Sequence, residues 1–178
     1  MTRPTARQNF SSPTFVAIDF ETADNGRDSA CSVAVVRVER NRIVARAHTL
    51  IRPPRREFIH TGIHGISREM VAESPTFRHA WPSIRSVLDG AEFIAAHNAS
   101  FDRSVLRACC ERANLRAPEH PFHCTVKIAR SMWGLYPATL PDVCEKLRVR
   151  LRHHDAVSDA KACARIVIAA MKEGWSPS

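Results

Sequence analysis

A short apolar run that carries its own acids constrains this chain more than anything else in it. TFVAIDF, from Thr14 to Phe20, follows Ser-Ser-Pro and has the β-branched and aromatic content of a buried central strand, with Glu21 directly after it. Side chains alternate along a strand, so Asp19 and Glu21 leave one face while Val16, Ile18 and Phe20 leave the other. Two like charges at the end of a buried strand are costly unless a cation neutralises them, and hard cations such as Mg²⁺ take carboxylate oxygens. A strand end that simply reaches water would also tolerate D-x-E. The pair therefore needs support from elsewhere in the chain.

The surrounding pattern supplies a frame. ACSVAVVRVE and RIVARAHTLI, separated by Arg40-Asn41, predict two further strands joined as an antiparallel hairpin. After the loop RPPRREFIHTGIHGI, both SREMVAE and TFRHAWPSIRSVL have apolar residues at helical spacing, with Pro82 predicting a kink or a start later than Thr76. EFIAAH reads as a buried strand, SFDRSVLRACCERA as a helix, FHCTVKIA as a strand running into a helix, LPDVCEKL as a short helix, and residues 155–173 as a long one. Strands first, then alternating strand and helix, predict an α/β fold with a mixed sheet covered by helices. At roughly 100 to 200 residues per domain, 178 residues make one domain: a loose tail over 1–13, the domain over 14–173 and a short tail over 174–178.

Two more carboxylates lie on core-facing stripes. Asp102 aligns with Leu106, Cys109 and Ala113, and Asp159 with Cys163, Ile166 and Ala170. An acid in a first helical turn is ordinary, favoured by the helix dipole. Acids from three segments at the rim of one core point instead to a shared site. His154, five residues before Asp159, stands at the entrance of the last helix, where a neutral imidazole could accept a proton. Its neighbour His153 competes for that role.

FVAIDFET, AHNASFD and HHDAVSDA together resemble the three motifs of the DEDDh, or DnaQ-like, 3′-5′ exonucleases, the family of the proofreading epsilon subunit of bacterial replicative polymerase. IHGIS, WPSI and SVLRAC extend the likeness over about residues 14 to 171. The resemblance implies a ribonuclease H-like fold with a five-stranded mixed sheet whose first three strands are antiparallel. It also implies two divalent cations, Mg²⁺ or Mn²⁺. Asp19, Glu21 and Asp159 would hold one and Asp19 with Asp102 the other, the logic of two-metal phosphodiester hydrolysis. His154 would be the general base. Asn98 and the Thr22 backbone would lie near the terminal nucleotide, and Phe20 and Phe101 would wedge against its base, while His97 would stabilise a strand end. Family members often carry Gly where this chain has Arg148, which predicts a differently built turn before the His loop.

The implied activity is removal of nucleoside 5′-monophosphates from the 3′ end of single-stranded or frayed DNA, as in replication proofreading or DNA repair. A 3′-5′ exoribonuclease is the alternative, and a catalytically inactive binding module or polymerase accessory subunit is a further one. A formal charge of +8, with 22 of 26 basic residues Arg, fits a polyanionic partner, and Arg148, Arg150 and Arg152 share a face if extended. Polymerase association stays open, although only GWSPS follows the last helix and no tethering tail is seen, which favours a stand-alone enzyme. No apolar run is long enough to cross a bilayer and no apolar stretch follows Arg3 and Arg7, so neither membrane insertion nor a secretory signal is expected and the location expected is cytoplasmic. The six cysteines form no C-x-x-C pair and read as buried thiols. His120, His123 and Cys124 lack the second half that a structural zinc site needs.

Overall fold

A computed structural model describes residues 12–177. Most of the expected N-terminal tail, together with Ser178, lies outside the described residues. Five strands form one sheet: β1 (Phe15–Thr22), β2 (Ala30–Glu39), β3 (Arg42–Leu50), β4 (Phe93–Ala96) and β5 (Phe122–Cys124), in the order β3-β2-β1-β4-β5. β1, β2 and β3 are antiparallel neighbours, whereas β4 pairs parallel with β1 and β5 parallel with β4. The mixed sheet predicted from the order of elements is therefore present, with the acid-bearing strand at its centre. The β2–β3 link has only Arg40 and Asn41 between paired Glu39 and Arg42, and both have positive φ (49° and 60°), as the right-handed strand twist requires of a two-residue hairpin turn.

The alternation in β1 divides the core in two. Phe15 and Ala17 pack with helices α4 (Thr125–Trp133), α5 (Leu140–Leu147) and α6 (Ala156–Lys172) on one face of the sheet. Val16, Ile18 and Phe20 pack on the other face with α2 (Phe77–Arg85) and α3 (Ala99–Arg112). α6 lies against β1 and β2, and its Ala160, Ala162, Cys163 and Ala164 are all fully buried. Such small residues let the helix approach the sheet closely. Ile166 and Val167, equally buried, each contribute about 1.5–3 kcal/mol of apolar transfer.

Three local expectations need correction. SREMVAE forms turns rather than a helix, and the short helix of that region is α1 (Thr61–His64), inside the preceding loop. α2 begins directly after Thr76 with Pro82 inside it, and gives way to a 3₁₀ turn at Ser86–Leu88 within one turn of that proline. Cys124 is only partly buried, unlike the other five thiols.

Arg148 settles the turn before the His loop. It caps α5 in the left-handed region, at φ 54° and ψ 41°, where glycine meets no steric penalty. The turn is thus built as a glycine would build it, with an arginine holding the strained conformation. Arg148→Gly should raise stability by about 0.5–1 kcal/mol, since relief of the left-handed strain outweighs the extra entropy of the unfolded chain. Urea denaturation of both proteins checks this, and a destabilised variant would contradict it.

Candidate active site

Parallel pairing of β1 with β4 brings their C-terminal ends side by side, the place where open α/β sheets leave a crevice for ligands. β1 ends in a register shift between Glu21 and Thr22, and such irregularities re-aim side chains at a strand end. Beyond β4, Asn98 adopts a left-handed conformation (φ 62°, ψ 50°) that turns the chain into α3. One turn in, the buried Asp102 accepts a hydrogen bond at Oδ1 from the Phe20 backbone N–H, 3.1 Å away. This contact ties α3 to β1 at the level of the acids.

Asp159 arrives from the other face of the sheet on α6, whose N-terminus is capped by Asp155 accepting from the Ser158 N–H. Its Oδ2 lies 3.0 Å from His153 Nδ1 and accepts the His154 backbone N–H at 3.1 Å. Its Oδ1 is buried and has no hydrogen-bond partner among the described residues. Carboxylate oxygens of Asp19, Glu21 and Asp159 lie within 4.8 Å of one another, as do ring nitrogens of His153 and His154 and an oxygen of Asp159. The two imidazoles stack, with centroids 3.8 Å apart. Asp19, Glu21, Asp102, Asp159 and His154 all border one open cleft of about 240 Å³, joined by His97, Asn98, Phe101, Leu140 and His153.

The electrostatics are those of crowded acids. Loss of hydration, then the charges of Asp102, Glu21, Asp159 and Asp155, push the Asp19 carboxyl well above its ordinary range. Glu21 rises to about 7, chiefly through burial and then through Asp159 and Asp155. Burial lifts Asp102 to about 8 against the opposing bond from Phe20. Asp159 is also raised by burial, although the His153 hydrogen bond works the other way. Clustered acids that hold protons unless neutralised, one with an orphaned buried oxygen, are the donor set that a hard divalent cation takes.

The remaining expected contacts divide. Phe101 is half-buried at the cleft, with the Arg27 guanidinium 4.5 Å from its ring centre. Phe20 borders the cleft, but its side chain is buried in the α2–α3 core and is not available to stack on a base. Thr22 is buried, and its carbonyl oxygen already faces His60 Nδ1 at 3.0 Å and His64 Nε2 at 3.1 Å. His97 lies 2.8 Å from the Thr125 hydroxyl, and burial lowers it to about 4, consistent with a neutral ring at the strand end. Sequence reasoning missed His60 and His64, which reach the Thr22 carbonyl from far along the chain, and Arg27, which reaches the Phe101 ring. It could have marked His64 only through the IHGIS likeness, which does not reach His60.

Comparison with known proteins follows the same lines. The family model described as "Exonuclease" (RNase_T) matches residues 16–167. A PolC-type DNA polymerase III of Thermotoga petrophila is 32% identical over 164 residues, covering 90% of this chain and 12% of the polymerase. Exodeoxyribonuclease 10 of Escherichia coli K12 is 34% identical over 154 residues, covering 81% of this chain and 63% of that enzyme. The chain thus spans about an eighth of the PolC-type relatives it matches. Among solved structures, exonuclease X in complex with 5′-overhanging duplex DNA superposes with a TM-score of 0.74 at 29% identity, covering 91% of this chain and 94% of that one. The nuclease domain of 3′hExo, a DEDDh member bound to rAMP, shares the fold at a TM-score of 0.78 and 17% identity, covering 94% and 96%.

The raised acids make metal-free stability depend on pH. Folded Asp102 keeps its proton up to about 8, whereas the unfolded chain releases it near the ordinary value of 3.8, so stability falls as pH rises between those limits. Asp102→Asn keeps an acceptor for Phe20 and removes the titration. In EDTA it should therefore be more stable than the parent by an amount that grows by about 3–4 kcal/mol between pH 5 and pH 8. Denaturation curves at the two pH values test this; an equal difference at both would contradict it.

Proposed function

The chain belongs to the DEDDh group of DnaQ-like 3′-5′ exonucleases, and from that premise we propose that it removes nucleoside 5′-monophosphates from the 3′ end of single-stranded or frayed DNA. The observation that carries the reading is the convergence of Asp19, Glu21 and Asp159, with the buried free Oδ1 of Asp159, beside two imidazoles at the end of the central strand. Asp19, Glu21 and Asp159 would hold one divalent cation, and Asp19 with Asp102 the second. Bound there, Mg²⁺ or Mn²⁺ supplies neutralising charge at the scissile phosphate and a more acidic water. The cleft is open, as a strand end entering from solvent requires.

The chain's own groups divide the remaining work. Asp102, held by the Phe20 amide, fixes α3 so that Asn98 and the Phe101 ring face the terminal nucleotide. His153 keeps Asp159 oriented through its Nδ1 contact, a positioning role. The His154 ring makes no hydrogen bond among the described residues, which leaves it free to take the proton from the attacking water. Two lines favour DNA over RNA: the exodeoxyribonuclease named among the relatives and the structural likeness, at 29% identity, to an exonuclease bound to duplex DNA.

Single-stranded DNA and RNA of matched sequence, labelled at the 5′ end and incubated with Mg²⁺ or Mn²⁺, test the substrate directly. A ladder shortening from the 3′ end on DNA, abolished by EDTA and by Asp19→Ala with unchanged circular dichroism, is expected. A faster ladder on RNA would reassign the substrate, and an Asp19→Ala protein retaining more than about a tenth of the rate would overturn the metal assignment.

The two histidines separate by mutation. His154→Ala should lower single-turnover rates by about 10² to 10⁴. His153→Ala should cost much less, and its loss should be partly recovered at high Mn²⁺ because only the orientation of Asp159 has been relaxed. A more damaged His153→Ala protein at saturating Mn²⁺ would exchange the two roles.

A further inference from the structure

α6 has two working faces. Its inner face carries Asp159 into the cleft and buries Cys163, Ile166 and Ala170. Its outer face presents Lys161, Arg165 and Lys172, four and seven residues apart and so on one stripe. These side chains line an open groove of about 1220 Å³ that runs from the α5–α6 loop to the start of edge strand β3. Arg148, Arg150 and Arg152 line it at the loop end and Arg42 on β3. Seven cations thus face two carboxylates, Asp155 and Glu173. Both acids are already engaged: Asp155 caps α6 and lies 3.6 Å from Arg152, and Glu173 accepts from the Trp133 indole at 2.8 Å. Among the described residues, Arg152 is the one groove cation in an ion pair.

Solvation alone does not require such a concentration. Cations on a sheet edge discourage strand pairing, which accounts for Arg42, but Lys161, Arg165 and Lys172 are on a helix. The loop from Arg150 to Arg152 leads directly into His153 and His154, so consecutive residues line the loop end of the groove and the cleft. We propose that this groove holds the phosphate backbone of the nucleic acid upstream of the 3′ nucleotide, as a second, sequence-independent binding surface. The proposal rests on the exonuclease reading of the cleft and adds the path of the rest of the strand. Lys161 to Lys172 spans about 16 Å along α6, enough to face about five phosphates of one strand at duplex spacing. Contacts of this kind position the substrate and read no bases.

Length dependence tests it. Binding of single-stranded 4-mer and 16-mer DNA is measured in Ca²⁺ over a salt series. The proteins are the parent, a Lys161→Gln/Arg165→Gln/Lys172→Gln triple variant, and a charge-matched Arg85→Gln/Arg103→Gln/Arg107→Gln variant on α2 and α3. The groove variant should lose about tenfold or more in affinity for the 16-mer, with a salt slope lower by about two, since each strand phosphate contributes about 0.7. Its 4-mer affinity should stay within about twofold, and so should its hydrolysis of the p-nitrophenyl ester of thymidine 5′-monophosphate with Mn²⁺, a substrate too small to reach the groove. Undiminished 16-mer binding by the groove variant, or an equal loss in the charge-matched one, would overturn the groove. If the parent itself fails to hydrolyse the ester, the reading of the cleft is overturned instead, which keeps the two failures distinguishable.

Discussion

Close contact between α6 and the middle of the sheet is the constraint on which the rest of this molecule depends. Ala160, Cys163 and Ala164 share one stripe of α6 and are fully buried, and side chains this small let the helix axis lie near β1 and β2. Larger residues would hold the helix away from the sheet and Asp159 away from Asp19 and Glu21. The same packing fixes the α5–α6 loop, because Asp159 itself accepts the His154 amide and faces the His153 ring. A packing requirement thus sets the spacing of the acids in the candidate site.

What that packing assembles is electrostatically unfavourable in isolation. Asp19, Glu21, Asp102 and Asp159 all hold their protons above the ordinary carboxylate range, and burial is the first cause for each. Such strain is typical of sites kept for function rather than stability. The fold offsets part of it with backbone donors, the Phe20 amide to Asp102 and the His154 amide to Asp159. The orphaned Oδ1 of Asp159 is what those donors leave uncovered.

The surface repeats this division on a larger scale. Acids gather at one lip of the sheet while cations line the outer face of α6 and the approach to the His loop. Asp24 and Asp28, in the loop that follows β1, are paired with Arg55 and Arg112, so they add little to the negative potential of the cleft. A polyanion would therefore meet positive charge along its length and negative charge only where cations can intervene.

The sequence by itself determined the central strand, the mixed sheet, and the four acids that gather at its end, because each rests on a local period. D-x-E must share a face of a strand, and Asp102 and Asp159 must continue the apolar stripes of their helices. Left-handed backbone at Arg148 was not legible, since nothing local forbids an arginine from taking a conformation that its tertiary surroundings hold. Nor was the fate of Phe20: alternation placed it opposite the acids, but only the packing of α2 and α3 decided that its ring is core rather than contact surface. Nothing local separates His153 from His154, since adjacent residues in a loop have no period; the fold adds that the ring of the first, and only the backbone amide of the second, reaches Asp159 Oδ2. Three-dimensional packing alone brought His60 and His64 to the carbonyl of Thr22 and set Lys161, Arg165 and Lys172 across from Arg42, because contacts between segments far apart in the chain leave no spacing to read.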